Sequence, residues 1–281
     1  MSNRILSTEQ IAAYDTYLRT DERAPGTREK YLRDLRAFCV WLEGRPVTKE
    51  LVHQWKEELQ VCGYAPVTIN SMLSALNSLF RFLGWEECRV KFLKVQRRLF
   101  REECRDLSRS EYNRLLEAAQ ELGRGRLALL METICSTGIR VSEVRYITVE
   151  AARDGKAEIA LKGKIRTILL PGKLCRKLLK YAKRQKITSG EIFLTRGGKA
   201  LSRRQIWAEM KRLCKHTGVE PSKVFPHNLR HLFATTFYRA CKDISHLADL
   251  LGHSSVETTR IYLVASGAEH ARQIERLGLV V

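Results

Sequence analysis

The sequence lacks the marks of several large protein classes. It holds no run of about 18 apolar residues, the length a membrane span needs, and its start, Met1-Ser-Asn-Arg-Ile-Leu-Ser7, has no apolar core of the kind a signal peptide carries. A cytoplasmic location is the expectation. Its eight cysteines, Cys39, Cys62, Cys88, Cys104, Cys135, Cys175, Cys214 and Cys241, include no CxxC pair. Disulfide frameworks and zinc sites both want clustered spacing, so reduced structural thiols are expected. Internal repeats and low-complexity stretches are absent. Negative charge is scarce: 31 Asp and Glu stand against 50 Lys and Arg, a formal net charge of +19. That excess points to a polyanionic partner.

What is present begins with helical patterning. At 281 residues the chain is long enough for two domains of ordinary size. Residues 7 to 84 read as four helices. The first follows Ser7, with Gln10 completing a capping box. The second carries the stripe Tyr31, Leu32, Leu35, Phe38, Cys39 and Leu42 and stops at Gly44 and Pro46; the third follows Thr48 and buries Leu51, Trp55 and Leu59. The fourth opens at Ala65-Pro66, buries Ile69, Met72, Leu73, Leu76, Leu79, Phe80 and Leu83, and ends at Gly84. Its polar positions, Thr68, Asn70, Ser71, Asn77, Ser78 and Arg81, read as an outer face of short hydrogen-bonding groups. Such a face suits a DNA backbone or major groove, although an ordinary polar surface has the same composition. The organisation expected is therefore a helical domain over 1–94, a charged linker over 95–107 and a second domain over 108–281 with a tail at 266–281.

The second domain opens at Ser108 with Glu111, a second capping box. Strand-like runs at Ala157 to Leu161 and Ile165 to Leu170 flank Lys162-Gly163-Lys164, which reads as a hairpin tip, and a further short strand is expected over Glu191 to Thr195. The helix opened by Ser202 carries Arg203 and Arg204 and is a second place for direct base contact.

The last fifth of the chain carries the chemistry. His227-Asn-Leu-Arg230 is followed by Leu251-Gly-His253 and, nine residues after His253, by Tyr262. A tyrosine hydroxyl has an unperturbed pKa of about 10, so as a nucleophile it needs cationic neighbours and a base. His227 and Arg230, three residues apart on one helix, supply both kinds of group. A planar arginine fork matches two oxygens of a phosphoryl group. A second fork is offered by Arg140 in Thr137-Gly-Ile-Arg-Val-Ser-Glu143, where Glu143 is spaced to fix the guanidinium. The HxxxH pair His227 and His231 lacks a following glutamate and a third ligand, so no metal is expected, and no cofactor of any kind.

Thr137-Gly-Ile-Arg-Val-Ser-Glu143, His227-Asn-Leu-Arg230 and Leu251-Gly-His253 running on to Thr258-Thr-Arg-Ile-Tyr262 resemble, in order and spacing, the signature of the tyrosine recombinases, the phage integrase and Xer group. The resemblance implies a mainly α protein with a small antiparallel β-sheet: a helical, SAM-like core-binding domain followed by a mixed α/β catalytic domain. It implies that Tyr262 attacks a DNA phosphodiester to give a 3′-phosphotyrosyl link, that Arg140, Arg230 and His253 hold the non-bridging oxygens, and that His227 takes the tyrosine proton. Lys162 takes the place of the general acid, with Lys164 a second candidate because the turn is one residue shorter than the commoner pattern. The implied partner is double-stranded DNA with inverted-repeat sites, bound by a homotetramer when synapsed, in which the tail docks on a neighbour. The implied role is integration and excision of a mobile element or resolution of replicon dimers. A type IB topoisomerase and a non-catalytic DNA-binding regulator are the alternatives.

Overall fold

The computed structural model describes residues 4–95, 106–161, 164–262 and 275–276. It falls into two compact units, Met1–Arg97 and Arg98–Val281.

Among its described residues the first unit has four α-helices, α1 (Thr8–Thr20), α2 (Pro25–Leu42), α3 (Lys49–Val61) and α4 (Pro66–Phe82), with a 3-10 turn at Glu86–Cys88 after them. Each starts where local chemistry satisfies the free amides of a first turn. Ser7 and Gln10 form the reciprocal capping box of α1, Thr48 caps α3 through the Leu51 amide, and α2 and α4 open on prolines, which need no donor there. Tyr14, Leu35, Phe38, Trp55, Leu73, Leu76 and Phe80 fill the space between them. Phe38 meets Trp55 edge to face with centroids 5.0 Å apart.

One expectation for α4 fails. Asn77 is buried, and its amide both donates to the Val90 carbonyl (3.0 Å) and accepts from the Val90 amide (3.2 Å). Asn70 does the same for Leu93, at 2.9 and 2.8 Å. These two side chains stitch the segment after α4 onto the helix as a strand neighbour would. They are structural and are not free to read DNA. Ser71 is half-buried and accepts from Lys30, whereas Thr68 and Arg81 stand exposed.

The second unit is built around α6 (Gly125–Thr137), whose buried residues, Leu127 to Met131 with Thr133, Ile134 and Thr137, run round most of its circumference. A helix apolar on all sides belongs inside. It packs against α5 (Arg109–Glu121), α8 (Gly172–Arg184), α9 (Arg203–Leu213) and α10 (Pro226–Cys241). Thr133 and Thr137 donate their buried hydroxyls to the carbonyls one turn back, at 2.7 and 2.6 Å. Leu107, placed in the linker by the sequence, is buried in this core; residues 96–105 of that linker lie outside the described residues.

Between α6 and α8 lie a 3-10 helix (Val141–Tyr146), α7 (Val149–Asp154) and a single hairpin, β1 (Lys156–Leu161) with β2 (Lys164–Leu169), paired antiparallel from Lys156 with Leu169 to Leu161 with Lys164. Glu191 to Thr195 forms no strand. Only isolated bridges, Thr148 with Glu191 and Leu194 with Ala200, occur there, because the segment faces two different partners in turn. The chain then runs through α10, α11 (Ile244–Leu251) and α12 (Val256–Arg260). The turn between α10 and α11 is made by Lys242 in the left-handed region (φ 55), directly after Cys241, the last helical residue. Among the described residues no helix is long and apolar enough to cross a membrane.

Candidate active site

The C-terminal end of α6 sets the position of the site. Gly138 terminates the helix at φ 67, and a Cβ there would collide with the ring of Phe233 on α10. Only glycine permits both the left-handed turn and the close approach of the two helices. Arg140 follows at the N-cap of the 3-10 helix, where its amide donates to Glu143 Oε2 (2.7 Å) and its guanidinium to Glu143 Oε1 (3.0 Å) and the Gly252 carbonyl (3.3 Å). Glu143 is therefore the anchor that the spacing suggested. It is 1 % exposed. Burial pushes its carboxyl pKa up, yet the Arg140 amide and the guanidiniums of Arg166 and Arg140 outweigh this and hold it below the usual carboxylate value.

Arg230 rises from the first turns of α10 and is 2 % exposed. Its nitrogens donate to the Gly138 carbonyl, to the Leu251 carbonyl (2.8 Å) and to His253 Nε2 (2.9 Å). One guanidinium thus ties together the turn after α6, the end of α11 and the histidine beyond it. Burial pulls its pKa below the ordinary arginine value, and the hydroxyl of Tyr262 beside it opposes that shift.

His253 enters the site from the turn at Gly252, which is left-handed at φ 62. Because a guanidinium can only donate, Nε2 of His253 accepts from Arg230; the ring proton then sits on Nδ1 and is donated to Thr259 Oγ1 (2.8 Å). Burial, with the positive charges of Arg230, Arg140, Arg166 and His227 around it, lowers the His253 pKa to about 4.

Tyr262 closes the arrangement. It is 4 % exposed and sits in a small apolar cluster with Ala234, Leu247 and Leu251. Its ring stacks on His253 (centroids 5.9 Å apart, planes 8° from parallel) and is tilted against His227 (6.1 Å) and His231 (5.2 Å). His231 therefore touches the tyrosine directly, with Asp106 3.9 Å from its Nδ1. His227 is exposed and Arg140 keeps 39 % of its side chain open to solvent, so these two are the groups an incoming anion meets first.

Arg140, His227, Arg230, His253 and Tyr262, separated by more than a hundred residues of sequence, are thus gathered, with Glu143 beneath them. Lys162 lies outside the described residues, as does Gly163; the strands end at Leu161 and resume at Lys164 on either side of them. Arg203 and Arg204 are exposed at the start of α9, which Ser202 and Gln205 open with a capping box. Two residues of the site went unnoticed in the sequence. Thr259 accepts the Nδ1 proton of His253, and Arg166 on β2 donates to Glu143 and to the Leu250 carbonyl (3.1 Å). Arg166 left one signal: it is a cation on the inward parity of its strand, paired opposite the buried Ile159.

Residues 105–269 match the model of the phage integrase family, and residues 11–87 match the SAM-like domain that forms the N-terminal part of phage integrases. The chain belongs to this family. It is a tyrosine recombinase, a DNA-binding enzyme of site-specific recombination. Tyrosine recombinase XerA of Thermococcus kodakarensis is 30 % identical over 95 % of this chain and 94 % of the relative, and XerA of Pyrococcus furiosus is 29 % identical over 100 % and 98 %. Among solved structures, XerH bound to a palindromic difH substrate superposes with a TM-score of 0.71 at 19 % identity, covering 98 % of this chain and 84 % of that one. A lambda integrase tetramer bound to a Holliday junction gives 0.73 at 19 % identity, covering 93 % and 78 %. These likenesses agree with the fold, which among the described residues is mostly helical with one small two-stranded antiparallel sheet, after an N-terminal SAM-like domain.

Proposed function

We propose that this recombinase cuts and rejoins duplex DNA through a 3′-phosphotyrosyl intermediate formed on Tyr262. The observation that carries the reading is the enclosure of Tyr262 by the Arg230 guanidinium and three histidine rings. The tyrosine oxygen attacks phosphorus, the bond to the 5′ oxygen breaks, and that oxygen leaves as a hydroxyl. His227 accepts the phenolic proton, and Lys162 supplies the proton to the departing oxygen. Arg140, Arg230 and His253 hold the non-bridging oxygens, where negative charge is spread in the transition state. His253 has a particular requirement. Its Nε2 accepts from Arg230, so donation to the phosphate calls for a second ring proton, and a bound phosphodiester anion raises the ring's pKa in that direction. The tyrosyl ester keeps the energy of the original phosphodiester, so rejoining to another strand needs no ATP.

The DNA would be two inverted-repeat sites held by four copies of the chain in the cytoplasm, with Thr68, Arg81, Arg203 and Arg204 among its contacts. The XerA relatives and the mobile-element integrases among the structural neighbours leave two biological roles, resolution of replicon dimers and integration with excision. The test is a covalent adduct on nicked duplexes drawn from the DNA flanking the gene, resolved on a denaturing gel. Wild-type protein is expected to form it. Tyr262→Phe is expected to bind the same duplex and form none; an undiminished adduct in that variant would refute the proposal.

A further inference from the structure

Arg166 belongs to none of the three sequence boxes, yet it reaches into two of them, to Glu143 in one and to the turn before His253 in the other. On the inward face of the hairpin its companions are apolar: Ala157, Ile159 and Ile168 are buried. A cation on such a face is costly unless its donors are engaged. Its side chain is 16 % exposed, and one terminal nitrogen donates to Glu143 Oε2 while the other donates to the Leu250 carbonyl at 3.1 Å. The third donor, Nε, is buried with no hydrogen-bond partner among the described residues. One hydrogen bond is thus given up to keep the fork between its two acceptors. The stem also lies across Gly252, where a Cβ would come within 2.5 Å of Arg166 Cδ and Nη1. Glu143 aims Arg140, and the Leu250 to Gly252 turn presents His253.

We propose that Arg166 is a positioning residue of the recombination site, fastening the β-hairpin to the two elements that present Arg140 and His253 so that all three are aimed together. The inference rests on the reading of this site as the recombination centre. A planar fork reaching two acceptors on different elements fixes both distance and angle; a lysine ammonium at the same place reaches one of them firmly. Arg166 also adds its charge to those of Arg230, Arg140 and His227, which face the His253 ring together with the stacked Tyr262 and the hydrogen-bonded Thr259.

Two measurements on the full chain test this, with Arg166→Gln and Arg166→Lys beside wild type. The first is the titration of the His253 ring followed by NMR, which needs no DNA. Arg166→Gln is expected to move its midpoint upward from about 4, because one of the positive charges around the ring is lost, and Arg166→Lys is expected to leave it near the wild-type value. A midpoint unmoved in Arg166→Gln overturns the inference. The second is the rate of adduct formation on the nicked duplex at saturating DNA. Arg166→Gln is expected to lower it roughly 10- to 100-fold without weakening binding, as for a displaced catalytic group, and Arg166→Lys to recover only part of the loss. Complete recovery by lysine, or a loss confined to DNA affinity, overturns it as well. Should Arg166→Gln not fold, the lysine variant decides alone, since it must keep the titration and lose rate. If wild type forms no adduct, the recombinase reading fails, while the titration still decides whether Arg166 stands close enough to His253 to set its charge environment.

Discussion

At the residue scale, His253 is held neutral by its surroundings, and this makes a pH dependence that can be measured. Its folded pKa of about 4 lies below the ordinary value of 6.5. Between these values the unfolded chain binds a proton that the folded chain does not, so the unfolded state is favoured as pH falls through that window. Stability is expected to be unaffected by this group above about pH 6.5 and to decline from there toward pH 4. Urea unfolding at pH 7 and pH 5, for wild type and His253→Asn, checks it. The variant is expected to lose less stability between the two pH values, and an identical loss would show that His253 does not titrate in this way. Much of this site was legible because the short boxes carry their own chemistry: a glycine turn before Arg140, a carboxylate three residues on, a histidine and an arginine one turn apart. Arg166 was not, because its one signal, a cation on the inward parity of its strand, names no partner. Its partners Glu143 and Leu250 lie 23 and 84 residues away.

At the scale of elements, the helices could be read because their starts are written locally. The boxes Ser7 with Gln10, Ser108 with Glu111 and Ser202 with Gln205 all form. What misled was polarity on α4. Short amides at Asn70 and Asn77 look solvent-facing in a helical projection, but each closes two backbone hydrogen bonds of a segment 23 or 13 residues later. Removing such an amide strands a buried donor and acceptor together. Asn77→Ala is expected to cost about 1–3 kcal/mol of stability, read as a lower urea midpoint for the first unit. An Asn77→Ala protein with full stability but weakened DNA binding would restore the reading of that side chain as a DNA contact. The segment at Glu191 to Thr195 was misread for a related reason: its apolar run, Ile192 to Leu194, follows from burying Ile192 and Phe193, and among the described residues no continuous partner strand completes a ladder.

At the scale of the whole molecule, charge decides how the protein meets its substrate. A formal charge of +19 over 281 residues leaves many cations without acidic partners, and neutralised phosphates release condensed counterions. If six to ten phosphates are contacted, affinity is expected to fall by about 10³ to 10⁵ between 50 and 200 mM salt, measured by fluorescence anisotropy on a duplex carrying the site. A shallow dependence would mean that the basic surface is solvated and not seated on the duplex. The central claim, however, is chemical, and the most direct measurement is to digest the covalent adduct and locate the attached nucleotide by mass spectrometry. The account predicts a nucleotide joined through its 3′ phosphate to the oxygen of Tyr262. A nucleotide on any other residue, or one joined through its 5′ phosphate, would contradict it.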